Sequence, residues 1–261
     1  YWFFVNRDIS SHLTKQGAGR LKLTKTEFSK ISCIIPPMPE QIIISDVLNN
    51  ITSFINHLGN LIDKKKNIKQ GAMQELLTGK RRLSKSTKPW KIEKLGKYVK
   101  FQTGYPFSSK YFNQKEEGIR LIKNRDLKND GRIYHYTGDF SKEFLVNNND
   151  VLIGMDGDFV TSIWQQGVAL LNQRVGRLIP LKKFSLQFAY YYLKKYLMEI
   201  QNRTSRTTVK HLSHNMVENI ELPLPSYDEQ ESIGTILSIM DSEIKELEQK
   251  QDKYTQIKKG M

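Results

Sequence analysis

The feature that most constrains the fold is an internal repeat at an offset of 189 residues. Glu40-Gln41 returns as Glu229-Gln230, and Ile68-Lys69-Gln70-Gly71 returns in the related form Ile257-Lys258-Lys259-Gly260. Further matches pair Leu23, Ile31, Pro36, Leu48, Ser53, Ile55, Leu58, Asp63 and Lys64 with Leu212, Ile220, Pro225, Leu237, Ser242, Ile244, Leu247, Asp252 and Lys253. A common register over about sixty residues indicates two copies of one structural unit.

The length of the period tells us what kind of unit is repeated. Solenoid repeats have periods of roughly 20–50 residues, so a unit of this size is a whole domain. We interpret it as a globular part followed by a long helix. The chain is then expected to hold the end of one unit, over residues 1–87, and nearly all of the next, over 88–261. This organisation predicts a shortened or fragmentary member of a two-unit architecture.

Each copy contains a long helix with the apolar spacing of a coiled coil. Acidic residues follow a proline at the start of both helices, and a negative charge favours the first turn of a helix. Apolar residues then recur at spacings of four and three, with seven of nine positions apolar in each copy. The positions are 44, 48, 51, 55, 58, 62, 65, 69 and 72, and 233, 237, 240, 244, 247, 251, 254, 258 and 261.

Two arrangements of these helices are open at this point. A helix of this kind spans roughly 55 Å at about 1.5 Å per residue, which is too long for one small domain to bury. The pattern therefore predicts that the two helices pair with each other as an antiparallel coiled coil, with a pseudo-two-fold axis. Such a rod would act as a ruler along a duplex. The alternative is that each helix packs on the globular domain of its own unit.

The segment between the helices has the sequence pattern of an α+β domain. Strand-like runs occur at 98–102, 119–122, 150–153, 168–171 and 175–179, with Gly, Asn and Asp at the turns. Helices are predicted over 186–201 and 213–218. We expect a twisted, mostly antiparallel sheet. The basic linker at 79–89 is either a phosphate contact or a solvated tether.

The charge of the chain favours a polyanionic partner. It has 41 Lys and Arg against 27 Asp and Glu, for a formal net charge of +14. Nucleic acid is the first polyanion to consider and an anionic membrane the second. No apolar run in the sequence is long enough to span a membrane, and the single cysteine, Cys33, fits a reducing compartment.

Four turn-forming clusters carry residue types that contact DNA, around 102–105, 123–125, 172–174 and 203–210. Arg reads guanine through two donors, Asn and Gln read adenine, and Lys, Ser and Thr hold phosphates. The candidate DNA-binding residues are Gln102, Thr103, Tyr105, Lys123, Asn124, Arg125, Gln173, Arg174, Arg203, Thr204, Arg206, Thr207, Thr208 and Lys210. Each cluster, taken alone, is also typical of an ordinary surface loop.

Several enzyme classes find no support in the sequence. A DNA methyltransferase needs an Asn/Asp-Pro-Pro-aromatic motif and a glycine-rich cofactor loop, which neither Ile35-Pro36-Pro37-Met38 nor Gly17-Ala18-Gly19 provides. No P-loop or zinc motif occurs, and the segment from Gly154 to Asp158 is a turn that fits no standard cation loop. We therefore predict no catalytic and no metal-binding residues.

Together these motifs resemble the DNA specificity (S) subunits of type I restriction-modification systems. The paired Pro-x-x-x-Glu-Gln helix starts at 36–41 and 225–230 carry the resemblance, with the Ile-Lys-x-Gly helix ends. Lys-Pro-Trp-Lys at 88–91, Leu95-Gly96, Asn172-Gln173-Arg174 and the Thr-rich segment 204–208 also match. The resemblance covers essentially the whole chain, and the combination is more specific than any one motif.

The resemblance implies a non-catalytic, sequence-specific DNA-binding subunit. In this family two target-recognition domains each read half of a bipartite site, and two long helices set the spacing and dock modification subunits. Here the resemblance implies a remnant of the first recognition domain, a spacer helix, a basic linker, a second recognition domain and a second spacer helix. Their ranges are 1–39, 40–78, 79–89, 90–227 and 228–261. Most of the first recognition domain is then missing.

The implied partners follow from the same resemblance. They are double-stranded DNA, the modification (methyltransferase) subunits and, through the complex, the restriction subunit. S-adenosylmethionine and ATP are expected on those partner subunits, with no cofactor bound by this chain. A half-size chain could self-dimerise and read a palindromic site. We expect a cytoplasmic protein without a membrane partner. The alternative function is a coiled-coil dimerising scaffold without DNA specificity.

Overall fold

A computed structural model describes the chain over residues 14–16, 20–31, 35–83, 89–128, 131–157, 159–203 and 211–260. It divides into two compact units, one formed by 1–67 with 242–261 and the other by 68–241. Each long helix contributes residues to both units. The five-part division expected from the sequence stays a prediction. No helix among the described residues is long and apolar enough to cross a membrane.

The secondary structure confirms the α+β class. The helices are α1 (Lys25–Phe28), α2 (Met38–Leu76), α3 (Leu186–Arg203), α4 (His214–Glu218) and α5 (Tyr227–Gly260). The strands are β1 (Thr14–Gln16), β2 (Arg20–Lys22), β3 (Lys91–Lys94), β4 (Val99–Thr103), β5 (Phe112–Asn113), β6 (Ile119–Ile122), β7 (Tyr134–Tyr136), β8 (Leu145–Val146), β9 (Val151–Gly154), β10 (Thr161–Ile163), β11 (Ala169–Leu171), β12 (Val175–Pro180) and β13 (Glu221–Leu224). The predicted helices and strands begin within two residues of these bounds.

In the unit formed by 1–67 and 242–261, α2 and α5 pair in opposite directions. The Lys65 Nζ lies 2.6 Å from the Glu243 carboxylate, and farther along the pair the Gln251 amide donates to the Ile55 carbonyl at 3.2 Å. The ring of Phe54 meets the edge of Tyr254 with centroids 4.7 Å apart. Residue numbers fall on one helix as they rise on the other, which confirms the predicted antiparallel pairing.

The coiled-coil positions are the ones that are buried. Leu48, Leu58, Ile62 and Ile244 are each less than a tenth exposed, and the other described positions of the pattern are buried or half-buried, with one exception. Ile44 is 42% exposed, whereas its repeat counterpart Ile233 is fully buried in the globular core of its own unit. The seam prediction is therefore wrong at position 44. The globular core covers Ile233, but no described residue of the 1–67 and 242–261 unit covers Ile44 in the same way.

Within the 68–241 unit the same two helices pack on the globular part. Leu76 and Leu77 of the α2 end, and Ile233 and Leu237 of α5, belong to its main hydrophobic core. The alternative of packing on the globular domain of the same repeat copy thus holds for the start of α5, whereas the end of α2 packs on the globular part of the other copy. Each arrangement buries a different stretch of the same apolar stripe.

One lysine of the coiled-coil pattern is neutralised by a polar network. The Lys69 side chain pairs with the Asp241 carboxylate, which also accepts a 2.8 Å hydrogen bond from the Tyr191 hydroxyl. Burial raises the pKa of Tyr191 far above its ordinary value, and the neighbouring Asp241 carboxylate raises it further. The hydroxyl therefore stays protonated and donates its hydrogen bond. The buried charge is paired and hydrogen-bonded, as the low-dielectric interior requires.

The first helix continues past the Ile-Lys-x-Gly motif, within the range of 40–78 expected for the first spacer helix. The helix α2 continues through Gly71 to Leu76. Glycine inside a helix costs about 1 kcal/mol relative to alanine. The apolar residues that follow it, Ala72, Met73 and Leu76, pack on or within the globular core, and this burial outweighs the cost.

The repeated helix starts have a shared structural reason. The Gln41 amide donates to the carbonyl of Pro36 at 2.7 Å, and the Gln230 amide donates to that of Pro225 at 3.0 Å. In both copies the amide ties the first turn of the helix to the chain before it. The Pro-to-Gln spacing therefore encodes a side-chain tether between the start of the helix and the chain before it.

In the second copy the adjacent glutamate organises the helix start further. Glu229 is almost completely buried and accepts hydrogen bonds from the Arg82 guanidinium, the Leu83 amide and the Trp90 indole at 2.9–3.2 Å. The basic linker and the start of the globular segment thus converge on one carboxylate. A buried charge with this many donors is stably accommodated.

Two larger sheets form the globular part. A four-stranded sheet has the order β10-β9-β12-β4 and is antiparallel throughout. A five-stranded sheet has the order β5-β7-β6-β11-β8, in which β6 and β11 are parallel and the other described pairs are antiparallel. A pair, β13-β3, lies apart from both. The mostly antiparallel character is confirmed, but the sequence did not reveal that the strands separate into different sheets.

Strand β9 explains how the layers stack. Val151 and Ile153 belong to the main core with α3, whereas Leu152 points into a second core shared with the five-stranded sheet. Side chains alternate between the two faces of a strand, so all four residues of β9 are buried. The four-stranded sheet is therefore the middle layer of the domain, which makes its strand ends rigid supports for the loops that follow.

The seam predicts a separable loss of helix pairing. An aspartate at Ile244, which is 6% exposed, places a charge among apolar residues at a cost of about 3 kcal/mol or more. In hydrogen exchange measured by mass spectrometry, Ile244→Asp should lose protection in peptides from α2 residues 45–65 and α5 residues 242–258. Peptides containing β9 and β12 should keep theirs. The exposed neighbour Ser242→Asp is the control, and equal protection in both variants would contradict the seam.

Candidate nucleic-acid interface

The first and third predicted clusters are joined by their backbones. Gly104 donates to the carbonyl of Val175 at 2.9 Å, Tyr105 donates to that of Leu171 at 2.9 Å, and Gln173 donates to that of Tyr105 at 3.1 Å. A Cβ on Gly104 would lie 2.2 Å from the carbonyl oxygen of Asn172. Only glycine permits this approach, so the glycine of the first cluster is a structural requirement.

The second cluster reaches the same place. The backbone N–H of Asn172 donates to the carbonyl of Ile122 at 3.3 Å, directly before Lys123-Asn124-Arg125. The side-chain amide of Asn124 donates to the backbone carbonyl of Asp156 at 2.8 Å. Three clusters that are far apart in the sequence thus lie side by side at the ends of β4, β6 and β11.

An acidic residue links these clusters. One carboxylate oxygen of Asp156 lies 2.6 Å from the Arg174 guanidinium, and the other lies 2.7 Å from Nδ1 of His211. The backbone beside it is fixed as well, because the Met155 amide donates to the Arg174 carbonyl and the Leu212 amide donates to the Met155 carbonyl. Arg174 and His211 remain more than half exposed, so both present polar groups to solvent.

The side chain of Gln102 is occupied within the domain. Its carbonyl oxygen accepts from the Arg177 guanidinium at 2.6 Å, and its amide donates to the Glu143 carbonyl at 3.0 Å. The same guanidinium also lies 3.1 Å from the Asp150 carboxylate. In this conformation the Gln102 amide positions the 141–146 segment, and Thr103 beside it is half-buried.

Tyr105 offers an exposed ring on a fixed base. The residue is 48% exposed, and its ring contacts Phe107 and Phe144 at centroid distances of 5.1 and 5.2 Å. A half-exposed aromatic ring that is held by neighbouring rings is suited to stacking or to contact with a sugar-phosphate backbone.

The Lys123 side chain lies between aromatic rings. Its Nζ is 4.5 Å from the centroid of Phe112 and 3.3 Å from that of Tyr134. Burial lowers the pKa of Lys123 from its ordinary value, while hydrogen bonding from Arg125 lowers the pKa of Tyr134. The Lys123 side chain therefore packs against the rings inside this loop. Arg125 is exposed at the surface of the loop and is the more accessible cation.

The loop turn is held by a buried acid. One oxygen of Asp126 accepts from the Lys123 backbone amide at 2.8 Å, and burial raises the pKa of this carboxyl group. The turn from 124 to 127 keeps Asn124 and Arg125 in a fixed relation to the sheet. Rigid support of this kind favours recognition over non-specific contact.

The fourth predicted cluster lies mostly outside the described residues. This applies to Thr204, Arg206, Thr207, Thr208 and Lys210, and for Arg203 the backbone alone is described as the last residue of α3. The residues that flank the cluster are informative: His211 contacts Asp156, and the Gln201 amide donates to the carbonyl of Gly157 at 3.5 Å. The residues on both sides of the fourth cluster thus contact the turn at Asp156 and Gly157, whose Asp156 carboxylate pairs with Arg174.

Sequence reasoning misses the two residues that organise this surface. The sequence pattern places Asp156 only within a turn, and it does not single out Arg177. The available signal for Asp156 is an acid in a glycine-flanked turn of a strongly basic chain. Among the residues that the structure describes, no group of three or more His, Cys, Asp or Glu could hold a metal ion.

Comparison with known families gives a clear match. Residues 87–258 match the family described as the type I restriction modification DNA specificity domain. The matched region covers more than half of the chain and includes β3 to β13, α3, α4 and most of α5. The resemblance drawn from the helix starts and recognition clusters is therefore confirmed.

Individual relatives agree with the family match. The EcoBI type I restriction enzyme specificity subunit of Escherichia coli is 38% identical over 151 residues, covering 56% of this chain and 32% of that protein. The putative MjaX specificity subunit of Methanocaldococcus jannaschii is 24% identical over 270 residues, covering 95% of this chain and 62% of that protein. The chain thus spans less than two thirds of the length of either relative.

Solved structures share the fold. The S subunit from M. genitalium superposes with a TM-score of 0.66 at 14% identity, covering 97% of this chain and 67% of that chain. The HsdS subunit from Thermoanaerobacter tengcongensis gives 0.58 at 15% identity, covering 97% and 65%. At this level of identity the likeness concerns the fold alone.

The close approach at Gly104 predicts a specific loss of stability. The Cβ introduced by Gly104→Ala would meet backbone, so the junction of the two clusters must move, lowering the free energy of unfolding by about 1–3 kcal/mol. Urea denaturation followed by circular dichroism measures this. The control is Gly71→Ala, where the helix leaves open space and a gain of up to about 1 kcal/mol is expected. Equal stability of Gly104→Ala and the parent chain would contradict the geometry.

Proposed function

Because the chain belongs to the family of type I restriction-modification DNA specificity domains, we propose that it binds a specific sequence of double-stranded DNA. In this role it directs a methyltransferase and restriction complex to its target. The observation that carries the proposal is the convergence of three separate predicted clusters, with the flanks of the fourth, at one surface of the 68–241 unit. Loops scattered by chance would not meet in this way.

The chemistry of that surface suits a duplex. Arg174 and Gln173 are exposed and can reach base edges in a groove, where a guanidinium pairs with guanine and an amide with adenine. Arg125 supplies a cation for phosphates, and Tyr105 a ring for sugar contacts. The hydroxyl- and Arg-rich segment at 204–210, attached at the Asp156 turn, would extend the same surface. The net charge of +14 supports association with a polyanion.

The paired helices are proposed to set spacing and to dock modification subunits. Val47, Phe54 and Leu61 of α2 recur every seven residues along the edge of the seam, where Phe54 also contacts Tyr254, and are 41%, 37% and 40% exposed. An exposed apolar stripe beside a formed coiled coil is the surface that a further helix would cover. In this proposal the chain performs no chemistry, S-adenosylmethionine and ATP bind to the partner subunits, and the complex works in the cytoplasm.

A second copy of the chain is proposed to supply a second recognition domain. Two copies related by a two-fold axis would read a palindromic site, as the pseudo-symmetric repeat does within a longer subunit. Sedimentation should then show a dimer, or a dimer formed on DNA. A strict monomer that still binds two inverted half-sites would contradict this part of the proposal.

Arg174 provides the direct test of base reading. Arg174→Ala should weaken binding to the target by about 1–3 kcal/mol and relax sequence preference at one position. Equilibrium binding to a panel of duplexes that differ at single positions measures both effects. Lys91→Ala, which removes a charge from an exposed strand residue outside this surface, is the control. A uniform loss over all sequences would make Arg174 a phosphate contact.

Methylome sequencing tests the function as a whole. Cells that carry the chain with its modification subunit should show adenine methylation at one motif, and deletion of the chain should remove it. In vitro, specific binding should fall by about a thousandfold or more between about 50 and 200 mM salt if six to ten phosphates are contacted. No motif in the methylome and no DNA retention at low salt would favour the coiled-coil scaffold.

A further inference from the structure

We propose that Asp156 is a positioning residue that sets the sequence specificity of this surface through Arg174. Its carboxylate orients the guanidinium for base edges and opposes its use on phosphates. The inference rests on the proposed function, since it concerns how the same surface chooses among DNA sequences. It starts from an anomaly: a fixed negative charge stands among residues expected to meet a polyanion.

The carboxylate is held from several sides. Its two oxygens are engaged at 2.6 Å by Arg174 and at 2.7 Å by His211, and its backbone carbonyl accepts from the Asn124 amide at 2.8 Å. A carboxylate only accepts, so the Nδ1 atom of His211 carries the proton. Because both oxygens are occupied, rotation of the side chain would break both contacts.

The contact with Asp156 uses only part of the hydrogen-bonding capacity of the Arg174 guanidinium. Among the residues that the structure describes, Arg174 donates to Asp156 alone, through Nη1. Arginine has five N–H donors in one plane, so the edge formed by Nε and Nη2 is still available for two parallel hydrogen bonds. Two donors in a fixed plane are what the O6 and N7 acceptors of guanine require.

The negative charge of Asp156 also disfavours contact between Arg174 and a phosphate. A phosphate that approached Arg174 would meet the Asp156 carboxylate, and like charges at short range repel. A base edge carries no net charge and avoids this repulsion. Asp156 therefore penalises phosphate contacts more than base contacts, which is specificity by a repulsive element.

Asp156→Asn removes the negative charge of the side chain and keeps its size and shape almost unchanged. Asparagine keeps an oxygen for Arg174, and its amide can donate to His211 once that ring changes tautomer. The control is Glu93→Gln, which changes the net charge equally and breaks a comparable 2.6 Å pair, with Lys97. Both are compared with the parent chain, with Arg174→Ala and with the Asp156→Asn/Arg174→Ala double variant, all in complex with the modification subunits.

Two duplexes serve as probes. One carries the sequence that the parent complex selects from a randomised library, and the other carries the same bases shuffled. Asp156→Asn should tighten binding to the shuffled duplex, steepen the salt slope by about one unit, and reduce the ratio of the two affinities by about tenfold. In the Arg174→Ala background the same change should alter that ratio by less than about twofold, because the guanidinium is gone.

The outcomes separate the two proposals. If the parent complex does not distinguish the duplexes, the proposed function fails. If it does, and Asp156→Asn matches Glu93→Gln or weakens both duplexes equally, the role assigned to Asp156 is overturned. Should Asp156→Asn not fold, Arg174→Lys replaces it. Lysine keeps the charge without the planar edge, so the affinity ratio should fall at constant salt slope, and an unchanged ratio would overturn the inference.

Discussion

The antiparallel seam between α2 and α5 is the constraint on which the rest of the structure depends. Helices of this length expose more apolar surface than a small domain can cover, so each must bury its stripe on the other. Buried apolar residues line this seam, and ion pairs of Lys65 with Glu243 and of Lys69 with Asp241 match opposite charges across the two helices. The same two helices contribute the end of α2 and the start of α5 to the core of the 68–241 unit.

The buried glutamate at the start of α5 shows how the globular part is anchored to this helix. Glu229 gathers donors from Arg82, Leu83 and Trp90, which belong to the chain just after α2. From this anchor the chain continues into β3 and β4, and the candidate DNA-binding loops then follow strand ends of both larger sheets. Because β9 is buried on both faces, the turn that follows it is rigid, and Asp156 stands at that turn.

Much of this could be predicted from the residues. The spacing of apolar positions in both copies predicted the seam, since helical periodicity depends on sequence alone, and the contacts of the structure then fixed its antiparallel direction. The proline and glutamine of each copy located the helix starts within two residues. The candidate DNA-binding clusters could be proposed from residue types alone, although each cluster by itself is also typical of an ordinary surface loop.

The sequence by itself determined the α+β class, the apolar spacing of the two long helices and the residue types of the candidate DNA-binding clusters, because these follow from local periodicity and composition. The tertiary structure alone decided that the clusters of Gly104, Asn124 and Arg174 lie side by side, that Gln102 is engaged by Arg177, and that Asp156 connects Arg174 with His211. These contacts join residues separated by 18 to 75 positions. Their partners are set by how two sheets stack, which no local pattern specifies.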